Sequence, residues 1–139
     1  MRSADESGQV LPMVTVMSLG LLVMVGLVID AGVMFAARRD LQAEADSAAR
    51  AGATMLDEDA YRRSSGREAV LDPAGAELAA SERLQGVEVV ELRASPESVF
   101  VRAARSQPLL ILGFLGLGPV QVEAHSTARP RTGILAPGG

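Results

Sequence analysis

Residues 10–29 read VLPMVTVMSLGLLVMVGLVI, a stretch of twenty residues without a charged side chain. At about 1.5 Å per residue, a helix of this length spans the roughly 30 Å hydrocarbon layer of a bilayer. A chain of 139 residues has too small an interior to surround such a helix, which argues against a buried core helix. Cleavage as a signal peptide is a weaker alternative, because Asp5 and Glu6 precede a full-length span. We therefore predict a transmembrane helix at residues 10–29 after a short tail at residues 1–9.

Beyond this segment the sequence becomes amphipathic without a turn residue, so we expect the helix to continue through residues 30–56. At 100° per residue, seven mostly small side chains fall on one stripe. The stripe needs a packing partner, since a lone helix of this length is marginal in water. The partner is either the chain's own C-terminal domain or another subunit. This small-residue stripe consists of Met34, Ala37, Leu41, Ala45, Ala48, Gly52 and Met55.

Asp30 projects from the same side at the predicted membrane boundary. An unpaired carboxylate is costly there, which leaves two interpretations. The side chain either ends the span in hydrated headgroups or pairs with a partner. We therefore include Asp30 among the candidate partner contacts.

Three short sequence motifs occur in and around the apolar span and the amphipathic segment. Gly8-Gln9 precedes the apolar span, Asp30-x-Gly32 follows it, and LQAEADSAARAGA occupies residues 41–53. In this order and spacing they resemble the N-terminal region of the TadE/TadG-like family of Flp pilus-assembly proteins. The resemblance implies a single-pass, pseudopilin-like protein with a cytoplasmic N-terminus and an extracytoplasmic C-terminal domain. Charge counting slightly favours the opposite topology, because two arginines follow the span closely.

Two positions depart from the family pattern. Arg50 stands where the family usually has an apolar residue. Met13 is the fifth residue after Gly8, where a processed prepilin carries a glutamate. An uncleaved subunit retained in the membrane therefore fits better than a polymerising major pilin.

The C-terminal half predicts a small domain at residues 57–128. Asp72-Pro73 is a good helix start and Gly86 a good stop, so residues 73–85 are predicted to be helical, with Leu78 and Leu84 inward. The expected fold class is α+β and pilin-like: a long N-terminal helix, then a small antiparallel sheet with one short helix. The remaining predicted segments are an exposed connection at 57–68, strands at 87–94, 99–104 and 120–128, and a flexible tail at 129–139.

The run LLILGFLGLG at residues 109–118 is too short to cross a bilayer. Its glycines favour a buried loop or a packing surface. An exposed docking patch is the alternative interpretation.

The sequence offers few side chains that could catalyse a reaction or bind a metal ion. The chain has no cysteine and one histidine, His125, so we predict no catalytic, metal-binding or cofactor-binding residues and no small-molecule substrate. All 13 basic residues are arginines spread along the chain, which argues against a nucleic-acid partner. We expect a structural or assembly component of a Flp/Tad-type pilus or secretion system that contacts other subunits and membrane lipid. The alternative is a signal-anchored, surface-exposed binding domain that uses residues 109–118 for recognition.

Overall fold

A computed structural model describes residues 7–131 of the chain. Most of the predicted N-terminal tail and of the predicted flexible tail lie outside the described residues. The fold is α+β, a long N-terminal helix followed by a three-stranded antiparallel sheet with short helices, which confirms the predicted fold class. The elements are α1 (Ser7–Gly52), α2 (Glu58–Arg63), α3 (Pro73–Arg83), β1 (Glu88–Ser95), β2 (Ser98–Gln107), a 3-10 helix (Leu112–Leu115) and β3 (Val120–Ala128).

Helix α1 is continuous over 46 residues, which confirms that the apolar and amphipathic segments form one element. This helix contains Pro12. It ends at Gly52, before the predicted end, and Leu56 pairs with Leu71 in an isolated bridge. Among the described residues, α1 is the one helix long and apolar enough to cross a membrane, and 6% of its most apolar window is buried within the chain. This finding is consistent with a single-pass membrane anchor.

The sheet has the strand order β1-β2-β3. Strands β1 and β2, which correspond to the first two predicted strands, form an antiparallel hairpin, with Ser95 paired to Ser98. A bulge between Val89 and Glu91 breaks the alternation expected along β1. Because of this shift, Leu92 and Ala94 pack against the core while Val89 is exposed.

Helix α3 starts as predicted. The Asp72 carboxylate accepts hydrogen bonds from the backbone N–H groups of Ala74 and Gly75, which caps the helix. Leu84 is buried, as expected. The inward prediction for Leu78 was wrong, since its side chain is 63% exposed and the small residues Ala76 and Ala80 form the buried face instead.

The predicted connection at residues 57–68 is mostly exposed but contains the short helix α2, which the sequence analysis missed. Asp57 caps it by accepting a hydrogen bond from the Ala60 N–H at 2.9 Å. Ser65 and Gly66 then take positive φ angles of 54° and 77°, which produces a turn.

The chain divides into two compact units. Within the described residues, the first contains residues 7–36 of α1 together with residues 107–120. The second contains residues 37–106 and 121–131, with a core of small aliphatic side chains drawn from α1, α3, β2 and β3.

Candidate functional site at Asp30 and the small-residue stripe

In the first unit, the Asp30 carboxylate holds three consecutive backbone N–H groups from a segment 80 residues later. Oδ1 accepts from Leu110 N at 2.7 Å and from Ile111 N at 3.0 Å, while Oδ2 accepts from Leu112 N at 2.7 Å. Asp30 is 2% exposed. We call this arrangement the Asp30 anchor, and it fixes the start of the apolar run 109–118 against α1.

The anchor follows from the local geometry of that run. The three donors lie at the first residue of the 3-10 helix Leu112–Leu115 and at the two residues before it, where N–H groups have no partner within the helix. Such N–H groups carry partial positive charge and attract an anion. Asp30 supplies that anion from within the chain and satisfies all three donors at once.

A glycine of α1 makes room for the same segment. A Cβ added at Gly26 would stand 2.5 Å from Ile111 Cγ2 and 3.2 Å from Ile111 Cβ. Gly20 and Gly32, by contrast, have nothing within 4 Å of an added Cβ. The close approach at Gly26 therefore belongs to the packing of residues 109–118, a contact that the sequence analysis did not anticipate.

Neither sequence interpretation of Asp30 included this arrangement. The structure pairs the carboxylate with the chain's own backbone N–H groups. The available signals were a carboxylate at the end of an apolar span and an apolar run too short to span. Nothing in the local pattern connects the two.

In the second unit, the middle of the small-residue stripe lies in the core. Leu41, Ala45 and Ala48 are fully buried with residues of α3, β2 and β3. The chain itself thus covers this part of the stripe, one of the two partners that the sequence left open. The other members are more accessible: Met34 and Ala37 are half-buried and Met55 is exposed.

Gly52 is the last residue of the stripe that lies within α1. A Cβ there would meet the Ala76 carbonyl oxygen at 2.8 Å and the Val99 methyl groups at 3.1 Å. The missing side chain lets α1 approach both α3 and β2, which is the role that small residues have at tight helix contacts.

Polar contacts join the more accessible side of α1 to the sheet. Arg105 Nη2 of β2 donates to both carboxylate oxygens of Glu44, at 2.9 and 2.7 Å. Gln42 Nε2 donates to the His125 carbonyl oxygen at 2.9 Å and to Asp46 Oδ1 at 3.0 Å. These contacts orient the extension of α1 relative to β2 and β3 within this unit.

The polar surroundings also affect Asp46. The Ser126 hydroxyl, with smaller contributions from the Gln42 amide and the Arg50 charge, holds the pKa of Asp46 below its ordinary value, although partial burial opposes the shift. Arg50, the departure from the family pattern, is exposed and does not enter the core. In residues 7–131 no three carboxylates or histidines are grouped to hold a metal ion.

Residues 8–55 match the model of the Tad family, described as Flp pilus-assembly TadE/G-like. These residues form a TadE/G-like domain. The TadE/G-like match covers about a third of the chain and contains Asp30 and the whole small-residue stripe. The partners of Asp30 at residues 110–112 lie outside it. Comparison with curated proteins found no match, and comparison with solved structures found none.

Proposed function

We propose that the chain is a membrane-anchored structural or assembly component of a Flp/Tad-type pilus or secretion system that acts by helix–helix association and not by catalysis. The observation that carries this proposal is the TadE/G-like match at residues 8–55, most of which is the single helix α1. The family assignment supports a role in pilus assembly. The exposure of its side chains within the chain supports one part of the helix as the associating surface.

The accessible part of α1 is its apolar half. The side chains from Val10 to Ile29 are largely exposed, whereas Leu41 to Ala49 contribute to the core of the chain itself. A partner helix therefore has access to the membrane segment and to the half-buried Met34 and Ala37 just beyond it. We assign helix–helix association to this surface, with other assembly subunits as the partners.

An exchange of the membrane segment tests this assignment. Residues 10–25 are replaced by an unrelated transmembrane helix, while Gly26 and Asp30 are kept so that the Asp30 anchor survives. We expect the exchanged chain to reach the membrane but to lose co-purification with its assembly partners and to lose pilus formation. A matched control exchanges the exposed helix α2, which should leave both unchanged.

Full activity of the exchanged chain would overturn association through this helix and favour the second candidate, a surface-exposed binding domain on an anchor. Phe114, which is 91% exposed within the apolar run, is the observation that favours that candidate. Polar substitution at Phe114 would then abolish function in the chain that carries the foreign helix.

The proposed topology places the N-terminus in the cytoplasm and the C-terminal unit outside. A single cysteine at the exposed Ser81 of α3 reports on this unit, since the chain has no natural cysteine. We expect a membrane-impermeant maleimide to label it in intact cells. Labelling only after lysis would overturn the topology and indicate a cytoplasmic adaptor.

A further inference from the structure

The apolar run 109–118 forms the core of a longer segment without charge. From Ser106 to Val122 the chain has no acidic or basic residue, and Arg105 and Glu123 flank this stretch. Large apolar side chains along it are exposed to solvent: Leu110, Ile111, Phe114, Leu115 and Leu117. Exposure of such an apolar surface to water is energetically unfavourable, so we expect another molecule to cover it.

Two contacts fix the position of this segment along the axis of α1. Asp30 directly follows the apolar span and binds the backbone of residues 110–112. Gly26 lies within the span and touches the Ile111 side chain. The step of four positions from Gly26 to Asp30 corresponds to about 6 Å along the helix. If α1 crosses a bilayer through residues 10–29, Ile111 lies inside the edge of the hydrocarbon layer.

Irregular backbone is tolerated at that depth only where its polar groups are satisfied. The Asp30 carboxylate accepts from the N–H groups of Leu110, Ile111 and Leu112. The N–H groups of Phe114, Gly116 and Leu117 bond to carbonyl oxygens of residues 111–113. Six backbone donors of the run therefore have partners within the chain, and its outward surface is left to apolar side chains.

We propose that residues 109–117 are a second membrane contact. In this contact Phe114 and its apolar neighbours lie among lipid acyl chains, and the Asp30 carboxylate accepts hydrogen bonds from the backbone N–H groups of the segment that enters the membrane. The occupant of the exposed surface is lipid, because the surface is continuous with the membrane-spanning part of α1. This contact goes beyond the proposed function and holds whether or not the chain serves a pilus.

The test uses the full chain, purified without other subunits and reconstituted in vesicles of phosphatidylcholine and phosphatidylglycerol. Single cysteines at Phe114, Leu19 and Ser81 carry an environment-sensitive fluorophore, and the acyl chains of the lipid are brominated to quench it. Leu19 lies in the apolar span and Ser81 is exposed on α3, so their labels define strong and weak quenching in this assay. We expect the label at Phe114 to be quenched, as the label at Leu19 is, while the label at Ser81 stays bright.

Asp30→Ala tests the anchor in the same assay. We expect quenching at Phe114 to fall towards the value at Ser81, while quenching at Leu19 stays unchanged. Asp40→Ala, at an exposed aspartate of α1, is the matched control and should change none of the labels. Undiminished quenching at Phe114 in Asp30→Ala would overturn the role of Asp30.

A label at Phe114 that stays as bright as the label at Ser81 would overturn the lipid contact itself. If energy transfer between labelled copies then rises with the ratio of protein to lipid, a second copy of the chain covers the run. Either result leaves the proposed assembly function untouched, because no assembly partner is present in the assay.

Discussion

Gly52 of α1 and Ala76 of α3 approach each other so closely that a Cβ on Gly52 would stand 2.8 Å from the Ala76 carbonyl oxygen. The Val99 methyl groups of β2 lie only 3.1 Å from the same position. Helix α1, helix α3 and the sheet therefore meet at a residue that must lack a side chain. Since Gly52 lies in the TadE/G-like match, this contact gives one of its residues a physical role.

Gly52→Ala should destabilise the second unit. The added methyl group meets a backbone oxygen, which cannot move as a flexible side chain does, and overpacking of this kind costs about 1–3 kcal/mol. Native-state hydrogen exchange of the β2 amides in the full chain measures the loss. Gly32→Ala is the matched control, because an added Cβ there has nothing within 4 Å. Equal protection in the two variants would contradict the tight contact.

Much of this fold could be predicted from periodicity alone. The change from an uncharged to an amphipathic pattern predicted one long helix, and strict alternation predicted β3 with the bounds 120–128 that the structure has. The bulge after Val89 was missed, because an inserted residue looks like ordinary strand sequence. Helix α2 was missed because its six polar residues bury nothing and depend on the Asp57 cap.

The candidate site was only partly predictable. Asp30 and the stripe were singled out because their positions on one helix follow from geometry. Their partners were not, since the contact between Asp30 and residues 110–112 joins segments 80 residues apart and uses backbone N–H groups, which leave no signature in sequence. Partner contacts by Asp30 and by the residues of the small-residue stripe stay predictions.

The ion pair between Glu44 and Arg105 should contribute modestly to stability. Their side chains are 37% and 33% exposed, so solvent screens the interaction, and a coupling energy of about 1 kcal/mol or less is expected despite the two hydrogen bonds. A double-mutant cycle with Glu44→Gln and Arg105→Gln measures it. The far more exposed pair of Glu58 and Arg62 provides the comparison and should show a weaker coupling. A stronger coupling at Glu58 would refute this account.

Asp46 should make the second unit sensitive to acid. Its folded-state pKa is lowered, chiefly by the Ser126 hydroxyl, so its contribution is present above the unfolded pKa of about 4 and disappears as the pH falls through the folded value. Protection of the β2 amides should therefore decrease as the pH falls below the unfolded pKa of about 4. Asp46→Asn should flatten part of this decrease, whereas Asp40→Asn on the same helix should retain it. An unchanged slope in Asp46→Asn would exclude Asp46 as a cause.

Gly26→Ala should loosen the Asp30 anchor. The new Cβ would lie 2.5 Å from Ile111 Cγ2, so the segment must move away from α1 and lengthen the hydrogen bonds that Asp30 accepts. Faster hydrogen exchange at residues 110–112 of the full chain in vesicles is the expected result. Gly20→Ala, in the same apolar segment but with nothing within 4 Å of an added Cβ, should leave exchange unchanged.

Combining Gly26→Ala with Ile111→Ala separates this contact from a general effect on the membrane helix. The second substitution removes Cγ2 and leaves Cβ, which is 3.2 Å from the new methyl carbon and requires only a small adjustment. The double variant should therefore recover much of the protection at residues 110–112, although Ile111→Ala alone removes apolar contact area. If the double variant exchanges as fast as Gly26→Ala, the loss arises elsewhere in α1 and the close approach of Gly26 to Ile111 does not hold the anchor in place.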